Sequence, residues 1–211
     1  QKLDALVAGL KECQDKVGTG YVAAIPEGER VFAEIKRGEI RTANFELNGV
    51  WVPWYTLHKQ FAGLLDAHAY AGSTEALGIA RKLADWAIDV TANLSEEQWQ
   101  KMLACEHGGM NESMAELYAR TGEQKYLDLA RKFDHKAILD PLRRGEDKLA
   151  GHHANTQIPK LIGLARLYEL EGKEEDRKTS ETFWERVVRH HSYTLGGNSD
   201  HEYFGQPDKL N

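Results

Sequence analysis

Residues 61–72 read FAGLLDAHAYAG and residues 73–86 read STEALGIARKLADW, and the glycine between them decides the fold. The same grammar returns fifty residues later, as MAELYARTG at 114–122 and EQKYLDLARKFDHK at 123–136. It returns after another fifty, as IGLARLYELEG at 162–172 and KEEDRKTSETFWERV at 173–187. Gly72, Gly122 and Gly172 thus mark one repeat. Apolar residues recur at helical spacing on both sides of each glycine. Ile162, Ala165 and Tyr168 are helical neighbours before the third, and Phe183 and Val187 after it. Eleven positions beyond each glycine stands a core-type residue, Leu83, Phe133 or Phe183, and Ala-Arg-Lys recurs at one offset in the first two copies. Glycine adopts the left-handed conformation that ends a helix, so each unit reads as helix, short turn, helix.

A helical hairpin cannot bury both its faces alone, so the copies must stack. They can stack as an open solenoid or close into a ring with a pocket at one end. Common solenoid repeats run roughly 34 to 47 residues. A fifty-residue period with long, aromatic-rich loops points to the ring. About three and a half hairpins are then present, fewer than a six-hairpin ring needs. Around them, residues 1–16 read as a helix with Leu3, Leu6, Val7 and Leu10 on one face. Residues 17–53 read as a long loop region of the kind that shapes sites, with a short helix near Val31–Lys36 and the string NGVWVPW towards its end. SEEQWQKMLA at 95–104 opens on a capping serine with Gln98 three positions on. After Ser192 the chain reads as loop or strand.

Composition excludes several classes. Of 211 residues, 41% are apolar and 28% charged, which describes a globular chain. The net charge of −6, with basic residues scattered among acids, argues against a nucleic-acid partner. No apolar run approaches a membrane span. No basic-then-apolar leader opens the sequence, and the compartment is left open. Cys13 and Cys105 lie far apart without CxxC spacing, so both are read as buried thiols.

The chemistry gathers at three histidines in one phase of the repeat: His58 in WYTLHKQ, His107 in CEHGGMNE and His153 in GHHANTQIP. Each falls near the start of a hairpin's first helix, where unpaired N–H groups and a partial positive charge gather. Equal phase places them at one end of the stack. Lys59, Glu106, Asn111, Glu112, Asn155, Thr156 and Gln157 share that rim. Sugars need such a surface, because every hydroxyl both donates and accepts. The spacing is not that of a histidine metal site. A second candidate is GGNSDHEYFG at 196–205. Gly196 and Gly197 permit unusual backbone angles. Glu202 beside Tyr203 and Phe204 is expected to be partly desolvated, which suits a general acid.

With these motifs in order, WVPWYTLHKQFAGLLDAHAYAG, LACEHGGMNESMAELYARTGEQKYLDLARKFDHKAILDPL, GHHANTQIPKLIGLARLYELEG and YTLGGNSDHEYFGQP, the chain resembles the catalytic domain of glycoside hydrolase family 127. LVAGLKECQDKVGTGYVAAIP at 6–26 matches as well. The resemblance implies an all-α, partial (α/α)6 toroid, with residues 1–211 part of a single catalytic barrel domain truncated at both ends. It implies retaining release of terminal β-L-arabinofuranosyl groups from plant-type glycans, with a carbohydrate as partner. Glu202 matches the acid/base glutamate. His58, His107 and His153 match the histidines that contact the sugar, with His152 one residue away as the alternative for the third. The family also uses zinc, held by a glutamate and three cysteines, one of them the nucleophile. The resemblance places those ligands beyond Asn211, and neither Cys13 nor Cys105 matches them. Zinc is therefore expected in the full-length protein and not in this chain, which by itself is expected to be inactive. Two other readings stay open: a toroid glycosidase for a different sugar, and a helical repeat that binds a glycan or protein without cleaving it.

Overall fold

The structure, a computed structural model, describes residues 2–43 and 45–209. Leu210 and Asn211, the end of the expected terminal loop, lie outside the described residues. Three hairpins carry the architecture. Helix α3 (Pro53–Ala71) turns through Gly72 into α4 (Thr74–Thr91). Helix α6 (Met110–Thr121) turns through Gly122 into α7 (Gln124–Lys132), and α9 (Ala154–Glu171) turns through Gly172 into α10 (Glu174–Arg186). All three glycines have φ of 70°, the left-handed value that the repeat required. Helix α1 (Lys2–Val17) packs on α4 and supplies the further half hairpin. The chain is all-α in class, as expected.

The first helices of the hairpins form a continuous row, because α6 packs against both α3 and α9. Their sequences show why. Helix α9 buries residues on two sides, among them Thr156, Gln157, Lys160, Gly163, Leu164 and Leu167. Helix α7 buries one stripe only, Tyr126, Leu127, Leu129 and Ala130. Leu83, Phe133 and Phe183, the repeat's core positions, are all buried. Helices α2 (Gly28–Lys36), α5 (Glu96–Leu103) and α8 (Lys136–Arg143) fill the connections. Ser95 and Gln98 close a reciprocal capping box on α5. An aromatic spine runs through the core from Tyr21 by Phe32, Trp54 and Phe133 to His107, each ring 5.2–6.0 Å from the next.

Several expectations need correction. Leu3 and Leu6 are exposed; only Val7 and Leu10 of that face pack inward, because α1 meets α4 along a narrow line. Ile162 and Ala165 are helical neighbours on α9 as read, and they lie on its outward side. Cys13 is exposed on the free face of α1, while Cys105 is buried. The loop region 17–53 holds a small antiparallel sheet of β1 (Thr42–Ala43), β2 (Glu46–Leu47) and β3 (Val50–Trp51). The dipeptide Asn48-Gly49 makes its second turn with φ of 53° and 79°, the type I′ pattern.

The close contact of α6 with α9 hangs on Gly163. A Cβ there would come within 2.2 Å of the carboxamide of Asn111. That carboxamide is buried and donates to the Lys160 carbonyl at 2.8 Å. Gly to Ala inside a helix normally stabilises by about 1 kcal/mol. Here the sign reverses. Gly163→Ala is expected to cost about 2–3 kcal/mol, from overpacking and a lost buried hydrogen bond. Urea unfolding reads this, and an unchanged or raised midpoint refutes it. Adding Asn111→Ala recovers part of the loss, because it vacates the space.

Candidate active site

Glu202 sits in a turn whose backbone is inverted. His201 and Glu202 have φ of 46° and 71°. Asp200 and Tyr203 exchange both backbone hydrogen bonds around them, at 2.8 and 2.9 Å. This is a two-residue turn with non-glycine residues in positions that usually take Asn-Gly. Such residues cost about 1–3 kcal/mol each and persist only where their surroundings dictate them. The surroundings here are the start of α9. The Ala154 N–H, an unpaired donor of that helix, donates to the Glu202 carbonyl at 2.8 Å. The Phe204 N–H donates to the His152 carbonyl at 2.9 Å, and the buried Phe204 ring packs on Phe183 and His191. Of the two glycines expected to supply unusual angles, only Gly196 has a positive φ. The inversion that matters lies at His201 and Glu202.

This anchoring sets the Glu202 Oε2 3.3 Å from His153 Nε2 across 49 residues of sequence. His153 caps α9 and is clasped by Phe45 and Tyr203, whose rings meet it edge-on at 5.4 and 5.2 Å. Its Nδ1 is buried without a partner among the described residues. Glu202 itself is 80% exposed on its side chain. The expected desolvation by Tyr203 and Phe204 is absent, because Phe204 points into the core and Tyr203 leans on His153.

His58 lies in the first turns of α3, against the His107–Gly109 loop. The Gly109 N–H donates to His58 Nδ1 at 3.1 Å, so the ring proton resides on Nε2. A Cβ at Gly108, whose φ is 57°, would fall 2.4 Å from that Nδ1. Only glycine allows this approach. His107 is buried below the rim. Its Nδ1 donates to the Cys105 carbonyl at 3.2 Å, leaving Nε2 a bare acceptor with no partner among the described residues. Burial, with the Lys59 charge nearby, pushes His58 down to about 4. Burial, with Lys160 nearby, holds His107 well below the ordinary imidazole value. Both rings are neutral at physiological pH, one presenting N–H and the other a lone pair.

Glu106 and Lys160 add two further ionisable groups. Glu106 is half-buried, and burial raises its carboxyl pKa against the opposing pull of His153, Lys160 and Lys59. Lys160 is fully buried, and burial pushes it down to about 7. Its Nζ contacts His135 Nδ1 and donates to Gln157 Oε1, both at 2.8 Å. Burial brings His135 down to about 3.

Residues 1–211 match the model of the β-L-arabinofuranosidase GH127 catalytic domain. The chain belongs to glycoside hydrolase family 127. No curated protein matches it. Family 127 membership makes the chain part of a glycosidase domain whose substrates are carbohydrates. It also lets the rim of this family 127 chain be divided. Lys59 and Asn155 are exposed, and the Lys59 ammonium lies over the Tyr55 ring. Asn111, Thr156 and Gln157 are buried beneath the surface and hold α6, α9 and Lys160 in place. Sequence reasoning missed Lys160 and His135. The spacing Gln157, Lys160, Leu164, Leu167 would have placed Lys160 on the inner face of α9.

The described residues do not bring together a donor set for the zinc that the resemblance to family 127 implies. Among the described residues no group of three or more His, Cys, Asp or Glu could hold a metal. A cysteine binds zinc as its thiolate, and burial pushes the Cys105 thiol up to about 12. Cys13 stands exposed on α1.

Proposed function

We propose that this chain supplies the sugar-holding and proton-transferring side of an enzyme that releases terminal β-L-arabinofuranosyl groups from plant-type glycans with retention. The observation that carries the reading is the contact between Glu202 and His153, held by the clamp of an inverted turn on the start of α9. Glu202 is the general acid that protonates the leaving oxygen and then the base that takes a proton from the attacking water. His58, His107 and His153 hold the furanose hydroxyls. Opposite tautomers at His58 and His107 support that role, because a hydroxyl donates to one and accepts from the other. Both rings are buried, so the terminal sugar would have to enter beneath the rim. The domain is read as one part of a larger catalytic barrel, and the nucleophile is not among this chain's residues.

The test is hydrolysis by the full-length protein of matched aryl glycosides. A β-L-arabinofuranoside should be cleaved at least about a hundredfold faster than the α-L-arabinofuranoside or an arabinopyranoside, since a site built to hydrogen-bond hydroxyls rejects a sugar that misplaces them. Faster cleavage of another sugar reassigns the substrate. Binding without cleavage of any of them leaves a glycan-binding module.

A further inference from the structure

Trp51 carries a large apolar ring outside the molecule, 64% exposed. The hairpin that holds it explains why. Its register pairs Leu47 with Val50 and Glu46 with Trp51. Opposed residues of an antiparallel pair share a face. Leu47 and Val50 are buried, so one face fastens the hairpin to the core. The other face then presents an indole and a carboxylate side by side. Phe45 backs the indole, with centroids 5.3 Å apart and rings inclined by 35°. The same Phe45 meets His153 edge-on at 5.4 Å, and His153 touches Glu202. The exposed indole is therefore fixed two ring contacts from the imidazole beside the acid.

We propose that Trp51 is the stacking platform for the second sugar of the substrate, the one to which the terminal arabinofuranose is attached, with the Glu46 carboxylate receiving that sugar's hydroxyl protons in hydrogen bonds. This rests on the arabinofuranosidase reading. A terminal sugar held by the buried His58 and His107 leaves the rest of the glycan to pass outward across the rim. Trp51 stands on that rim, separated from His153 by the Phe45 ring. The flat face of a sugar presents C–H groups with slight positive charge, and an indole face is negative. The hydroxyls at the sugar's edge are donors for a carboxylate, a charge-assisted and therefore strong pairing. A lone exposed tryptophan gains nothing from water, and a sugar ring laid on it removes both apolar surfaces from solvent.

The experiment compares the full-length enzyme with its Trp51→Ala and Trp51→Phe variants on two substrates. One is methyl β-L-arabinofuranoside, which has no second ring; the other is a β-L-arabinofuranosyl disaccharide. Trp51→Ala should raise KM for the disaccharide so that its loss in kcat/KM exceeds the loss on the methyl glycoside by roughly tenfold or more. Trp51→Phe should restore most of the difference. Equal losses on the two substrates, or no loss on either, overturn the platform while leaving the arabinofuranosidase reading in place. A wild-type enzyme that hydrolyses neither substrate removes that reading and the platform with it.

Discussion

Glu202→Gln lowers kcat on a β-L-arabinofuranoside by roughly 10²- to 10⁴-fold, the range expected when a positioned acid and base is lost. The amide keeps the shape of the carboxylate and has no proton to give or take. Its place is secured by main chain, since the anchoring bond runs from the Ala154 N–H to the carbonyl of residue 202. The side chain is 80% exposed, so the substitution leaves stability within about 0.5 kcal/mol and the loss belongs to chemistry. The first step should show it most with a poor leaving group. A methyl glycoside needs the proton; a nitrophenyl glycoside, whose leaving oxygen is already a weak base, needs it less. Glu106→Gln is the informative companion. Burial raises the carboxyl of Glu106, a property suited to an acid. A large loss at Glu106 with Glu202→Gln unaffected transfers the acid role to Glu106.

Stability against urea is expected to fall by on the order of 3–5 kcal/mol between pH 7 and pH 4.5, a large share of the stability of an ordinary domain. The cause is the buried imidazoles. His58 is held at about 4 and His135 at about 3, both from 6.5, and His107 moves in the same direction. A group whose folded value is depressed contributes stability that is complete above its unfolded value and is lost as pH falls towards the folded one. The window is therefore from about 6.5 down to 4. Glu106 and Glu112 act the other way, because burial raises both and the folded state takes up their protons first. The histidines prevail because two of them are moved across two units of pH or more. Lys160, lowered from 10.5 to about 7, exerts its effect at higher pH and adds little below 7. Unfolding curves at pH 7 and pH 4.5 decide the matter: equal midpoints would mean that these rings are hydrated in solution.

Part of this was legible because it is local. A glycine's freedom to take positive φ is a property of one residue, so Gly72, Gly122 and Gly172 marked the three turns that the structure contains. A capping box spans four residues, and Ser95 with Gln98 closed it as read. Asn48-Gly49 was equally local, and its hairpin could have been read from the dipeptide and the alternation beside it.

The sequence by itself determined the hairpin repeat, the all-α class and the family, because helical period, turn chemistry and long ordered motifs are written within short stretches of chain. Only the tertiary structure decided which rim residues stay at the surface, which imidazole carries its proton on which nitrogen, and that Glu202 meets His153 through an inverted turn. Those properties depend on what packs against each group. For His58 the partner comes from residue 109, for Glu202 from residues 153 and 154, and for Lys160 from residue 135. Burial and protonation are sums over neighbours distant in the chain, and no window along the sequence contains both members of such a pair.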